Sequence, residues 1–193
     1  MINPSLQRAF FRGQRRFALL GRVLRPLSAW HLLQLHESES PMLGMGDGDI
    51  SVGDLEVAAA ICATQFPYRL ESVPAGVVAF WRNRKAVRAA HRIEGFAQEL
   101  LEWRAYYKAY GSQPLMFRSV KGKSCSCPTG LAIWAALFAH GFSESAAWNL
   151  PLDRASWYKV ALAEFDGADI RIVTDQAAKL LTARGHHIEG YTP

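Results

Sequence analysis

No apolar run in the sequence reaches the roughly 18 to 20 residues that a bilayer crossing takes. The longest, Leu131 to Ala139, is broken by His140 and Gly141, so no membrane partner is expected. Cysteine is scarce and odd in number (Cys62, Cys125, Cys127), and no signal-peptide pattern accompanies it. That argues against a disulfide scaffold and for a reducing, intracellular setting. Phosphate-binding loops, dinucleotide fingerprints and the Gly-x-Ser-x-Gly of hydrolases are missing, as are internal repeats and low-complexity tracts. What is present is ordinary globular material: 50% hydrophobic and 20% charged residues, with six Trp, six Tyr and ten Phe to fill a core. A length of 193 residues fits one domain, or one domain with a small appendage.

Acidic residues are missing from the start of the chain. Arg8, Arg12, Arg15, Arg16, Arg22 and Arg25 all precede the first of them, Glu37. Removing those six from the 22 basic residues leaves 16 against 17 acidic ones, so the net charge of +5 describes an arm and not the whole surface. Residues 1–16 therefore read as a basic N-terminal arm. It is either solvated and locally paired, or it contacts an anionic partner such as nucleic acid or an acidic protein face. A transit peptide is disfavoured because hydroxyl residues are few here.

Residues 17–184 read as a mainly α-helical domain. Phe17 to Leu24 is a short apolar run that fits a strand, a hairpin or a helix turn. Ser28 is a cap for a helix over Ala29 to His36, and Ser51, with Asp54 three residues on, caps one over Gly53 to Thr64. From Pro74 to Gly111 no further proline intervenes, which predicts a long helical segment, unbroken or interrupted at Gly76 or Gly95. Gln113 to Pro128 reads as irregular, with a hinge over 112–128. Further helices are predicted over Thr129 to Ala139, from the cap Ser143 through Trp148, over Arg154 to Phe165, and from the cap Thr174 to Ala183. Ile170 to Val173 fits a short extended piece, and residues 185–193 a loose tail.

Two features of the long segment invite a functional reading. Ile93, Phe96, Leu100, Trp103, Tyr107 and Tyr110 recur at spacings of three and four, an apolar seam that packs on another helix, either in the protein's own core or in a partner. Arg82, Lys85, Arg88 and Arg92 would form one basic stripe on a continuous helix. That stripe is a solvated face or a surface turned to an anion or partner; no aromatic interleaving or zinc-finger spacing accompanies it to favour nucleic acid.

Candidate chemistry is thin. Cys125-Ser126-Cys127 has a one-residue spacer where zinc knuckles use two, and no second pair completes four ligands. Lys121 and Lys123 could lower a nearby thiol pKa, but no base is placed beside it. Asp47, Asp49 and Asp54 lack the ligand order of a calcium loop and read as a turn and a cap. His31 and His36 are five residues apart and do not share a helix face as metal ligands. No catalytic residue, metal or cofactor is therefore expected.

Two stretches look familiar together: R-P-L-S-A-W-H-L-L-Q-L-H-E-S-E-S-P leading to I-S-V-G-D-L-E-V-A-A-A-I-C-A within residues 25–63, and A-A-L-F-A-H-G-F-S-E-S-A-A-W-N-L-P-L-D-R-A-S-W-Y at 135–158, leading to G-A-D-I-R-I-V-T-D at 167–175. The pairing resembles the small helical tail assembly chaperones of tailed bacteriophages, over about a third of the chain. The resemblance implies a non-enzymatic protein of the host cytoplasm that binds the long, helical, hydrophobic tape-measure protein. It would keep that protein soluble until tail-tube subunits polymerise around it, and could self-associate. It carries no catalytic position across. Two other readings stay open: a structural virion protein (a tail-completion or connector subunit), and a nucleic-acid-binding protein using the arm and the stripe.

Overall fold

Hydroxyl side chains start several helices where the sequence places them. Ser51, Ser143 and Thr174 each accept a hydrogen bond from the backbone N–H three residues on, at 3.3 Å, which satisfies one of the orphan donors of each helix start. At Ser51 the box is reciprocal, because the Ser51 N–H donates to the Asp54 carboxylate at 2.8 Å. That contact with Ser51 holds the Asp54 carboxyl below its ordinary pKa.

A computed structural model describes residues 6, 9–10, 16–43, 50–67, 77–111, 113–118, 127–185 and 188–189; of these, 77–83, 118, 175 and 189 are described in backbone only. The described chain is mainly α-helical. In order it forms β1 (Ala18–Leu19), β2 (Arg22–Val23), α1 (Ala29–Glu37), a short 3-10 turn (Pro41–Leu43), α2 (Val52–Cys62), α3 (Val77–Ala90) and α4 (Ile93–Tyr110). Then come β3 (Met116–Arg118), α5 (Thr129–Ala139), α6 (Glu144–Asn149), α7 (Leu152–Phe165), β4 (Ile170–Ile172), α8 (Asp175–Ala183) and β5 (Ile188–Glu189).

The run over 17–24 is a hairpin. Its strands pair Ala18 with Val23 and Leu19 with Arg22, around a two-residue turn in which Leu20 and Gly21 both have positive φ, 49° and 74°. That is the backbone a tight hairpin needs. Leu20 tolerates it because its side chain is fully buried and its N–H donates to Glu99 on α4 at 2.8 Å.

The long segment is two helices, broken at His91–Arg92. Gly95 sits so close to the end of α3 that a methyl group there would overlap the Ala89 carbonyl, and α3 contacts α4. The chain can turn this sharply only where that side chain is missing.

Helix α1 is the hub. It packs on α5, α2 and α6, burying Ala29, His31 and Leu35. Two ties link distant segments around it. The Leu152 N–H donates to the Leu27 carbonyl at 2.7 Å, beside a bridge between Ser28 and Pro151. Asn149 at the end of α6 accepts from the Phe66 N–H at 2.9 Å and donates to the Phe66 carbonyl at 2.6 Å. Leu19, Leu27, Leu55, Tyr106, Ile133, Leu137 and Leu152 fill the main core, each large apolar side chain contributing about 1.5–3 kcal/mol by leaving water.

A second, smaller core lies where α7 meets a three-stranded antiparallel sheet of order β4-β3-β5, and it buries Met116, Val160 and Ile170. This sheet corrects two expectations. Residues 116–118 are its central strand and not part of an irregular hinge. Ile188, expected in a loose tail, pairs with Phe117 and is buried. Both strands owe their place to partners far along the chain, not to a local pattern.

Candidate functional site

The apolar seam is turned mostly inward. The Trp103 ring is buried and its Nε1–H donates to the Met42 carbonyl at 3.2 Å. Phe96, Leu100, Tyr107 and Tyr110 are half-buried against the main core, and Ile93 alone stands free, at 90% exposure. As an open grip surface the seam is therefore corrected: five of its six side chains hold α4 to the protein itself. The most deeply buried residue of the helix, Tyr106, lies outside the 3-4 series. Its hydroxyl donates to the Arg25 carbonyl at 2.8 Å. Burial, with Cys62 next to it, raises its pKa well above the ordinary value, and the Cys62 thiol is pushed up to about 12 by burial. Both groups stay protonated and serve the core.

The basic residues do not form one surface. Arg8, Arg12 and Arg15 lie outside the described residues, and Arg16 is exposed. Lys85 and Arg88 are exposed on α3, and Arg92 is exposed but sits past the break as the residue before α4. The continuous stripe is thus interrupted; of Arg82 only its helical backbone is described. Part of the arm is held by local packing. The Arg154 Nε–H donates to the Ala9 carbonyl at 2.9 Å, its guanidinium lies 5.8 Å from the centre of the Phe10 ring, and Phe10 meets Tyr158 edge-on at 5.7 Å. Cys125, Lys121, Lys123, Asp47 and Asp49 also fall outside the described residues, while Cys127 is half-buried.

Exposed apolar groups gather elsewhere. Phe138 on α5, 51% exposed, stacks on Trp134 with ring centres 5.2 Å apart, and Trp134 stacks on Trp148 of α6 at 5.0 Å. Trp148 then meets Trp30 and Phe66, both at 5.9 Å. A row of five aromatic rings thus runs from the surface into the wall beside α1. Phe165, at the end of α7, is 88% exposed. The ends of α5 and α7 are pinned together there by His140, which contacts Asp166 at 2.9 Å. Its bonds to the Ala136 carbonyl and then to Asp166 raise its pKa.

Two cavities flank the start of α5. One, of about 180 Å³, is lined by Leu32, His36, Leu43, Tyr107, Gly111, Pro128, Gly130 and Leu152. The other, of about 50 Å³, is lined by Pro114, Met116, Ile133, Ser156, Lys159 and Val160, among others. Gln113 and Thr129 belong to both. None of these polar residues stands out in the sequence. The one local sign is that α5 follows Pro128, which has no side chain able to cap it.

Among the described residues, no group of three or more His, Cys, Asp or Glu could hold a metal ion, and no helix is long and apolar enough to cross a membrane. A scan against protein-family models matches none, and neither a curated protein nor a solved structure matches the chain.

Proposed function

We propose that this protein is a tail assembly chaperone of a tailed bacteriophage, a non-enzymatic factor that holds the tape-measure protein during tail assembly. One observation carries the reading. The two stretches that bear the resemblance, far apart in sequence, fold directly against each other. Trp30 from the first meets Trp148 from the second, and Leu27 and Ser28 are tied to Pro151 and Leu152. Their residues are mutual partners within one structural unit, as a shared fold signature requires.

The work of such a protein is contact. A long apolar helix is kept soluble by covering part of its surface with apolar side chains on a stable frame. With the seam engaged in the core, the grip falls to side chains that stand out from it, chiefly Phe138 and Phe165. They sit near the ends of α5 and α7 that His140 and Asp166 hold together.

Co-expression with the tape-measure protein of the same phage tests this. The pair co-purifies, and a variant carrying Phe138→Asp with Phe165→Asp keeps its melting temperature but loses the partner. Absence of co-purification sinks the reading. Undiminished binding by the double variant removes the proposed surface. Ring assembly in isolation, together with presence in finished particles, would make the protein a virion subunit instead.

A further inference from the structure

We infer that the start of α5 is a binding site for a carboxylate borne on a compact apolar group. The inference is independent of the assembly reading. Helix α5 has eleven residues and begins after Pro128, with no side-chain cap and no acidic residue in its first turn. The backbone N–H groups of Thr129, Gly130 and Leu131 meet no acceptor among the described residues. A helix start in this state presents a cluster of donors and the positive end of the helix dipole.

A second observation points to a ligand. Ser156, on the neighbouring α7, is only 5% exposed, and its hydroxyl has no hydrogen-bond partner among the described residues. It lines the smaller cavity together with Thr129. Native interiors rarely leave a buried hydroxyl unmatched unless something else supplies the partner. Lys159, one turn further along α7, lines the same cavity and makes no side-chain ion pair or hydrogen bond among the described residues. Gln113 completes the polar wall. These groups offer hydrogen-bond donors, one of them cationic, and no Asp or Glu among the described residues lines either cavity. The chemistry they select is an anion that accepts several bonds at once.

The protein shows the missing piece at its other proline-led helix. Helix α7 starts after Pro151, and there Asp153 supplies its own carboxylate, which accepts from the Arg154 N–H at 2.8 Å. Helix α5 lacks that residue, and a ligand carboxylate would take its role.

Size fixes the rest. The 50 Å³ cavity admits a carboxylate but no ring. Across Gln113 and Thr129, the 180 Å³ cavity exceeds the roughly 150 Å³ that encloses a benzene molecule, and Leu32, Leu43, Tyr107 and Leu152 line it with apolar surface. A phenyl or isobutyl group fits there while its carboxylate reaches the start of α5. Such a ligand is either a free short acid or the C-terminus of a peptide ending in a large apolar residue.

Titration of the ¹⁵N-labelled full chain separates these sources. One arm uses phenylacetate, the other a short acetylated peptide ending in Leu with a free carboxylate; the matching uncharged amides are controls. Saturable shifts are expected at the Thr129, Gly130 and Leu131 amides, in the arm that matches the natural source. Binding should be about tenfold or more weaker for the amides, because the charge-assisted bonds are lost. The same loss is expected for Lys159→Gln and for Ser156→Ala, measured singly with the remaining spectrum unchanged. No shift at those three amides up to about 10 mM of either acid, or equal affinity for acid and amide, overturns the proposal.

Discussion

Gly130 and Gly53 are both helical glycines, yet a methyl group meets opposite surroundings at the two. At Gly130 it would lie 2.6 Å from the Ala29 carbonyl oxygen, where α5 presses on α1. At Gly53 the nearest atom is Ser51 Oγ at an ordinary 3.5 Å. Alanine is intrinsically the better helix former by up to about 1 kcal/mol, but crowding a packed interface costs about 1–3 kcal/mol. Gly130→Ala should therefore destabilise the protein by about 1–2 kcal/mol, while Gly53→Ala is neutral or mildly stabilising. Paired thermal melts check the sign. His31 carries a second prediction at this scale. Its Nδ1 accepts from the Ser28 N–H at 3.1 Å and its Nε2–H donates to the Thr64 carbonyl at 2.9 Å, so the neutral ring fits the site. Burial, chiefly, and the Arg25 charge lower its pKa from 6.5 against the raising effect of the carbonyls. The unfolded chain thus takes up a proton at a higher pH than the folded one. Stability is complete above about pH 6.5 and falls as pH drops below it, by at most about 1.4 kcal/mol per unit. His140, whose pKa is raised, acts in the other direction, its contribution fading as pH rises. Denaturant midpoints between pH 7 and 5 should decline for the wild type and flatten for His31→Gln.

Among the elements, α4 shows how far sequence periodicity reaches. The 3-4 series correctly marks Trp103 as an inward residue, because a helix repeats its facing every 3.6 residues. It cannot choose between Tyr106 and Tyr107, which are both aromatic and one step apart. The choice is made by partners from elsewhere, the Arg25 carbonyl and Cys62, which capture Tyr106. Trp103→Ala and Tyr106→Ala should each cost about 3–5 kcal/mol, whereas Ile93→Asp should move the melting temperature little; a larger loss at Ile93 would mean that the helix faces the other way. The caps at Ser51, Ser143 and Thr174 were legible for a related reason, since each bond spans three residues. The sheet was not legible. Its strands are two or three residues long, too short for an alternation to register, and Met116 finds its partners as far off as Ile172 and Glu189. The cavity walls were hidden in the same way, because Gln113, Thr129 and Ser156 come from three segments that only the fold brings together.

At the scale of the whole molecule, the sign and spacing of charge bear on the partner. The exposed cations Lys85, Arg88 and Arg92 straddle a helix break, and no stacking aromatic pattern accompanies them. Retention on duplex DNA at about 0.1 M salt should therefore be no tighter than nonspecific binding, with Kd on the order of 10⁻⁴ to 10⁻⁶ M. Sub-micromolar binding with a steep salt slope would favour the nucleic-acid alternative. A different consequence follows from the tie between Leu27 and Leu152. During synthesis, the first third of the chain waits for residues that leave the ribosome about ninety positions later, and at 5–20 residues per second that interval is roughly 5–20 s. Through it α1 lacks the helices α5 and α6 on which it packs, with its apolar face open to whatever is nearby. Nascent chains stalled near residue 120 should be cut rapidly by protease, and chains stalled far enough on to expose residue 165 outside the exit tunnel should resist. A protein proposed to shield another's apolar helices thus begins its own life needing the same protection.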